Sequence, residues 1–484
     1  MYLGIDLGTS GIKVIITDQD GKLVASVTEG LTVQRKHALW SEQDPAQWWD
    51  ALQACMSNKQ LTPFLGSVKA LGVTGQMHGS VALDKDANVL RPAILWNDGR
   101  SSKECAELEA EVKNARQITG NLIMPGFTAP KIKWMQKHEP ELFQKIDKVL
   151  LPKDYLRYLL SGDFASDMSD SAGSLWLDVE NRKWNTELLK ACGLDESHMP
   201  TLYEGSDITG HLSPSLAQKW GMQSVPIIAG GGDNAAGAVG VGLINSGKAM
   251  ISLGTSGVYF VVNNTFSANP DKAVHSFCHA LPNTWHLMSV ILSAASCLEW
   301  LSTQVLKKDL GELMLALEQA DLDTSKAPIF LPYLSGERTP HNNPNAVGNF
   351  FGITHQTSDL DMLYAVMEGV CFAFADGFDV LHENSPKPDA ITLIGGGSKS
   401  LMWRQMFADI LNIEIDYREG GDVGPALGAA RLAQIAVDDS KTLVEICPEP
   451  PVVATYQPNQ AAQTLYKKRR ATFIQLYSAL KTLY

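Results

Sequence analysis

Two carboxylates and two glycine-rich turns are the features of this sequence best suited to phosphate chemistry. Asp6 lies two residues before the turn Gly8–Gly11, and Asp233 directly follows Gly230–Gly232. A turn rich in glycine and hydroxyl side chains presents backbone N–H groups to an anion. A carboxylate beside it can hold Mg²⁺ against a phosphate, because Mg²⁺ binds through one or two carboxylates, waters and phosphate oxygens.

Asp233 lies where an apolar strand gives way to a helix rich in small residues. A carboxylate at this point can accept the proton of a hydroxyl group while the hydroxyl oxygen attacks phosphorus. The alternative is a helix N-cap, in which the same carboxylate accepts backbone N–H groups of the first helical turn. The residues alone leave both roles open.

The first turn occurs again in the second half of the chain. Residues 7–11 and 253–257 both read LGTSG, and each copy lies between two apolar runs. Two strands joined by so short a turn form a hairpin. Ser252 takes the position of Asp6 in the second copy. The repeat therefore predicts two hairpin tips that clamp a polyphosphate from both sides, with the metal on the Asp6 side.

Other elements of the two halves correspond as well. A buried strand ends in glycines at Gly230–Gly232 and again at Gly395–Gly397, where a flat base can lie against the backbone. Helices rich in glycine and alanine are predicted at 234–242 and 421–430. We therefore predict an α/β fold of two duplicated lobes with a nucleotide and sugar cleft between them.

Length, charge and cysteine content limit the classes of protein to consider. A chain of 484 residues exceeds one core, so we place the two lobes at residues 1–244 and 245–484. The net charge of −13 argues against nucleic acid or an anionic membrane as partner. No uncharged apolar run approaches the ~20 residues of a membrane span. The seven scattered cysteines are typical of a reduced, cytoplasmic protein.

Polar and aromatic residues follow two strands of the first half, where the ligands of α/β proteins commonly bind. Amide, imidazole and carboxylate groups suit a polyol, and an indole ring can stack on the apolar face of a sugar. Each residue alone is as well explained as an ordinary loop residue. The set consists of Gln76, His78, Trp96, Asn97, Asp98 and Arg100.

Taken in order, these motifs resemble those of the FGGY family of carbohydrate kinases, in the actin/hexokinase/Hsp70 superfamily. The resemblance covers residues 1 to about 478. Gly126–Trp134 and Gly348–Glu368 are similar to the two signatures of the family, and Leu393–Ser398 is similar to its adenosine motif. The resemblance implies actin-like (ribonuclease H-like) lobes and the transfer of phosphate from ATP, with Mg²⁺, to a sugar.

The resemblance also implies roles for individual residues. Asp233 would be the general base, and Asp6 would orient Mg²⁺ and the γ-phosphate. The implied phosphate contacts are Thr9, Ser10, Lys13, Gly254 and Thr255. The implied nucleotide contacts are Gly336, Gly396 and Gly397. The implied sugar contacts are Met77, His78, Asp233 and Asn234, with Trp96, Asn97 and Asp98 in a nearby shell.

Within the family, Gln76–Gly79 and Trp96–Arg100 are most similar to the xylulokinase branch, which implies conversion of D-xylulose to D-xylulose 5-phosphate. Glycerol kinases have an Arg-Glu pair where Met77 and His78 stand here. The alternatives are a kinase for another ketose or polyol (ribulose, gluconate, erythritol), an ATP-clamping chaperone or filament module, and a sugar sensor without catalysis. A homodimer is implied by family analogy alone.

Overall fold

Two mixed seven-stranded sheets organise the computed structural model, which describes residues 1–418 and 424–484. The central strands of the first sheet are almost wholly apolar and buried, as expected for strands covered on both faces. In spatial order the first sheet contains Ile208–His211, Pro226–Ile228, Ala70–Gly75, Tyr2–Leu7, Gly11–Thr17 and Leu23–Gly30, with Gly231–Gly232 pairing beside Ala70–Gly75.

The second sheet repeats the first sheet and adds one strand at its edge. In spatial order it contains His275–Cys278, Trp285–Ile291, Gly257–Asn263, Ala249–Leu253, Ala390–Ile394, Glu414–Arg418 and Val452–Tyr456. Both halves open with two antiparallel pairings, and in both the first strand also pairs in parallel with a later one. This correspondence confirms the duplicated α/β fold and both hairpins predicted from the LGTSG repeat.

Helices and short two-stranded sheets complete the chain. The α-helices of the first half are Pro45–Met56, Ser102–Glu111, Ala115–Thr119, Thr128–His138, Pro140–Phe143, Pro152–Ser161, Met168–Ala172, Thr186–Ala191, Pro214–Trp220 and Asp233–Gly240. Those of the second half are Ala295–Trp300, Leu310–Gln319, Asp359–Leu381, Leu401–Leu411, Gly424–Ile435, Leu443–Ile446 and Gln460–Leu480. The short sheets pair Glu42–Gln43 with Ala93–Ile94, Val81–Leu83 with Lys148–Leu150, Ala165–Asp167 with Thr201–Tyr203, Leu177–Asp178 with Lys183–Trp184, and Ile329–Leu331 with Asn349–Phe351.

The two small-residue helices pack against each other and against the first sheet. The first begins at Asp233, one residue before its predicted start, and the described part of the second begins at Gly424. Residues 421–423 of the predicted second helix lie outside the described residues. A Cβ atom added to Gly428 would stand 1.7 Å from the carbonyl oxygen of Ala236. The helices therefore approach at a distance that only glycine permits.

We expect Gly428→Ala to lower the free energy of unfolding by roughly 1–3 kcal/mol, because overpacking against rigid backbone forces the helices apart. Gly30→Ala is the matched control, since a Cβ atom there would meet nothing within 4 Å. Chemical denaturation of both variants tests this expectation. Equal stability of the two variants would contradict the close helix contact.

The structure also bears on the expectations about cysteines and membranes. All seven cysteines are free thiols in buried positions, which agrees with the predicted reduced usage. Burial raises the pKa of the Cys55 and Cys192 thiols to about 12. Within residues 1–418 and 424–484, no helix is both long and apolar enough to cross a membrane.

Candidate active site

The tip of the first hairpin is held by a network of amide side chains. Thr9 Oγ1 donates to Gln76 Oε1 at 3.1 Å and accepts from Trp96 Nε1 at 2.9 Å. The Thr9 carbonyl accepts from Gln43 Nε2 at 2.7 Å, and Gln43 Oε1 accepts from Gln76 Nε2 at 3.0 Å. These hydrogen bonds fix the tip through Thr9, whereas the neighbouring Ser10 is exposed.

The second tip is fixed differently, by the N-terminus of a helix. The carbonyl of Gly254 accepts from the backbone N–H of Ala295 at 2.9 Å. The carbonyl of Thr255 accepts from the backbone N–H of Ala294 at 2.9 Å and from the Ser296 hydroxyl at 2.8 Å. These bonds occupy the carbonyl groups of the turn and leave the side chain of Thr255 exposed. Both tips therefore offer hydroxyl groups to a ligand.

Asp6 and Asp233 lie near enough to repel each other. Burial, together with the charge of Asp233, raises the pKa of Asp6 to about 7, although Lys13 opposes the shift. Lys13 stands directly opposite Asp6 in the first hairpin. Burial also raises the pKa of Asp233 to about 6. Two partly buried carboxylates with raised pKa values are typical of a functional site.

Asp233 is the first residue of its helix, and Gly232 is the N-cap. Its Oδ1 accepts from the backbone N–H of Asn234 at 2.7 Å and from Asn234 Nδ2 at 2.8 Å. Because Gly232 occupies the N-cap position, Asp233 is already helical, and its side chain bonds to Asn234, the residue next to it. The N-cap alternative therefore does not describe Asp233.

His78 presents one ring nitrogen to the same region. Its Nδ1 donates to the carbonyl of Gly173 at 2.7 Å, because a carbonyl can only accept, and Nε2 is left as an acceptor. Burial lowers the pKa of His78 to about 3, so the ring is neutral. The His78 carbonyl accepts from Lys131 Nζ at 2.8 Å and from Thr128 Oγ1 at 3.0 Å, which holds this residue at a positive φ of 67°.

A cavity of about 250 Å³ lies between the two halves of the chain. Its volume suits a small sugar, and its wall combines apolar side chains with a few polar groups, as is typical of small-molecule sites. The lining residues are Met77, His78, Trp96, Met124, Gly126, Phe127, Asp233, Asn234, Ser256, Val258, His275, Met288, Val290 and Arg338. The structure therefore brings together five of the seven predicted sugar contacts.

Asn97 and Asp98 are the two predicted sugar-shell residues that do not line this cavity. The side chain of Asn97 is exposed. Asp98 is buried, pairs with Arg100 Nη2 at 2.7 Å and accepts from the backbone N–H of Ser41 at 2.6 Å. Arg100 also pairs with Glu42 at 2.8 Å. Asp98 thus supports the loop that carries Trp96.

A second cavity, of about 500 Å³, lies in the second half of the chain and contains two of the predicted nucleotide contacts. Its wall is mainly apolar, which suits a flat base. The lining residues are Ala295, Leu298, Leu310, Gly311, Met314, Leu315, Glu318, Gly396, Gly397, Lys399, Ser400 and Trp403. Gly336 lines neither cavity, although it lies two residues before Arg338 and has a φ of 76°.

The sequence pattern did not identify three polar residues of the first cavity. Ser256, His275 and Arg338 all come from the second half, whereas the predicted sugar contacts all lie in the first half. Ser256 belongs to the repeated LGTSG turn, and this was the available signal for it. Arg338 follows Gly336 in the run Ser335–Pro340, which carried no recognisable spacing.

Comparison with protein families agrees with this geometry. Residues 1–240 match the N-terminal domain of the FGGY family of carbohydrate kinases, and residues 249–437 match its C-terminal domain. The chain belongs to this family. A carbohydrate kinase needs a sugar site beside a phosphate site, and the first cavity adjoins both hairpin tips through Trp96 and Ser256.

Individual relatives of this FGGY kinase span its whole length. A curated relative from Escherichia coli K12, named xylulose kinase, is 58% identical over 483 residues that cover all of both chains. The crystal structure of a "xyloylose kinase" from Brucella ovis is 45% identical, covers all of both chains and superposes with a TM-score of 0.95. A gluconate kinase from Lactobacillus acidophilus is 27% identical over 99% of this chain and 97% of its own, with a TM-score of 0.92. These matches confirm the actin-like two-lobed fold.

Proposed function

We propose that this chain is a kinase that transfers the γ-phosphoryl group of ATP to the terminal hydroxyl of D-xylulose, giving ADP and D-xylulose 5-phosphate. The observation that carries the proposal is the first cavity, which Asp233 and the neutral His78 both line and which adjoins the two hydroxyl-bearing tips through Trp96 and Ser256. The full-length E. coli relative named xylulose kinase supports the same sugar.

Asp233 is proposed as the general base. Its carboxylate faces the cavity, and Asn234 fixes one of its oxygens through two hydrogen bonds. A pKa of about 6 leaves the carboxylate mostly ionised at neutral pH and still basic enough to take a hydroxyl proton as the oxygen attacks phosphorus. The hydrogen bonds to Asn234 orient the carboxylate before the sugar binds.

Asp6 is proposed to hold Mg²⁺ and to orient the γ-phosphate. The residue fits a divalent cation, since burial and the charge of Asp233 both raise the pKa of its carboxyl, and a cation would relieve the repulsion between the two carboxylates. When bound, Mg²⁺ neutralises phosphate charge during transfer. Thr9, Ser10 and Thr255 would contact phosphates through their hydroxyl groups, as would Gly254 through its backbone, and Lys13 through its ammonium group.

The second cavity is proposed as the adenosine site, with Gly396 and Gly397 against the base and Gly336 near the nucleotide. Met77, His78 and Asn234 would contact the ketose, with Trp96 beside them and Asn97 and Asp98 behind. The lobe boundaries at 1–244 and 245–484, a homodimer and a cytoplasmic location remain proposals. Closure of the lobes on the sugar would exclude water from the phosphoryl group.

ADP release in a coupled assay with D-xylulose, D-ribulose, D-gluconate and glycerol tests the proposal. We expect D-xylulose to give the highest kcat/KM. A higher value for D-gluconate or D-ribulose would assign the chain to another substrate of the family. ADP release independent of any sugar would favour an ATP-clamping module instead.

The pH dependence of the reaction provides an independent check on the base. A general base must be ionised, so kcat/KM should fall below pH ~6 as Asp233 becomes protonated, by roughly tenfold per pH unit. Initial rates between pH 5 and 8.5, at saturating ATP and subsaturating D-xylulose, measure this limb. A profile that stays flat down to pH 5 would contradict the assignment.

A further inference from the structure

The guanidinium of Arg338 is the charged group of the first cavity that the reaction described above does not use. It lines the cavity, and within residues 1–418 and 424–484 its side chain makes no hydrogen bond and no ion pair. A guanidinium carries five N–H donors in a planar fork and no acceptor, and it keeps its charge in proteins. A donor-only group of this kind in a ligand cavity favours a ligand that has hydrogen-bond acceptors.

The backbone holds Arg338 firmly at this place. On one side, Glu337 exchanges two backbone hydrogen bonds with Asn343, at 2.9 and 2.8 Å, and its Oε1 accepts from the Leu292 N–H at 3.1 Å. On the other side, Thr339 Oγ1 donates to the Ala273 carbonyl at 2.8 Å. Residues on both sides are therefore fixed to neighbouring segments, which limits how far Arg338 can move.

Arg338 lies with the histidines of the cavity. Arg338, His78 and His275 all line the same cavity. Burial lowers the pKa of both histidines, and the positive charge of Arg338 lowers it further. Asp6 instead responds to Asp233 and Lys13. Asp233 thus brings a carboxylate to the cavity wall, on the side of Asp6, and Arg338 brings a cation to the wall beside the histidines.

The chemistry of a 2-ketopentose indicates what this cation would meet. The ring of such a sugar closes when the C5 hydroxyl attacks the C2 carbonyl, so the ring form has no free C5 hydroxyl. Phosphorylation at C5 therefore requires the open chain. With its C5 hydroxyl at Asp233, an open-chain ketose extends its C2 carbonyl and C1 hydroxyl away from the carboxylates. These two oxygens are acceptors for a forked donor.

We propose that Arg338 is a specificity-determining residue that binds the C1–C2 end of the open-chain ketose, and that it also admits an aldonate carboxylate at the same position. This inference rests on the proposed function, because it takes Asp233 as the site of the reacting hydroxyl. Arg338, from the second half of the chain, thus recognises the end of the sugar that does not react.

The test compares ligands that differ only at this end: D-xylulose, D-xylonate, which has a carboxylate at C1, and xylitol, which has a C2 hydroxyl. In Arg338→Met we expect KM for D-xylulose and Kd for D-xylonate to rise roughly 10- to 100-fold, as for a lost charged hydrogen bond. Kd for xylitol should rise by less than about threefold, because its hydroxyl groups are weaker acceptors than a carbonyl or carboxylate oxygen and can turn to other donors. Arg338→Lys should regain part of the D-xylonate affinity, because it restores the charge without the fork.

Arg35→Met, which removes one exposed arginine outside the cavity, is the matched control and should resemble the wild type. ATP binding and thermal unfolding of each variant check that the fold is retained. Equal weakening of all three ligands in Arg338→Met, or weakening of none, would overturn the inference. Calorimetry with D-xylonate and xylitol tests Arg338 even if the wild type does not phosphorylate D-xylulose, a result that would refute the proposed function alone.

Discussion

Asp233→Asn is expected to lower kcat with D-xylulose by roughly 10²- to 10⁴-fold, the usual contribution of a positioned general base. Asparagine keeps the shape of the side chain and can still accept from the backbone N–H of Asn234, but it cannot take a proton. Binding of the sugar should also weaken, because the carboxylate faces the cavity. Steady-state rates and calorimetric titration with D-xylulose measure the two effects separately.

The control for this variant is Asp50→Asn, which makes the same chemical change at an exposed position on the helix Pro45–Met56. Its kcat should equal that of the wild type. Thermal unfolding of Asp233→Asn should show no loss of stability, because burial disfavours the charge that this change removes. If Asp233→Asn kept kcat within about tenfold of the wild type, the general-base assignment would be wrong.

The duplicated fold could be predicted because the repeat is visible at the level of letters. Residues 7–11 and 253–257 are identical, and the hairpins that contain them occupy equivalent places in the two sheets. Apolar runs that end in glycines marked the strands Pro226–Ile228 and Ala390–Ile394 equally well. Patterns of this kind can be read from the sequence because an apolar run and the glycines of a turn are requirements of the local backbone, whichever strands pair with it.

In the Trp96–Arg100 loop, the spacing of residues in the sequence does not predict which side chains reach the cavity. Trp96 reaches the cavity, but Asp98 points to Arg100 and the Ser41 N–H instead. A carboxylate two residues before an arginine gains more from a buried pair whose oxygens are all bonded than from a cavity shared with Asp233. That outcome depends on Ser41 and Glu42, which are remote in sequence, and so the loop alone could not reveal it.

The cavity wall also contains residues that are too far apart in the sequence for a local pattern to relate them. His275 and Arg338 reach it from segments more than 190 residues beyond His78 in the chain, through the packing of one half on the other. The position of Thr9 likewise depends on Gln43 and Gln76. No sequence period relates such positions, so only the tertiary structure assembles them.

Asp6→Asn is expected to lower kcat by roughly 10²- to 10³-fold, as does the loss of one preorganised electrostatic group. The concentration of Mg²⁺ needed for half-maximal rate should rise, whereas the KM for D-xylulose should change little, because Asp6 does not line the sugar cavity. Ser252→Ala is the matched control at the equivalent position of the second hairpin, and its Mg²⁺ dependence should equal that of the wild type.

Stability gives this variant a readout that does not depend on turnover. The pKa of Asp6 is about 7 in the folded chain and near 3.8 in the unfolded chain, so the wild type loses stability as the pH rises between these values. Asparagine stays uncharged at every pH, so Asp6→Asn does not undergo this loss of stability. Asp6→Asn should therefore exceed the wild type in Tm at pH 8, without Mg²⁺, and the difference should shrink towards pH 5. A lower Tm of Asp6→Asn at pH 8 would show that the carboxylate of Asp6 stabilises the metal-free enzyme. That result would contradict a carboxylate that is destabilising until a cation binds.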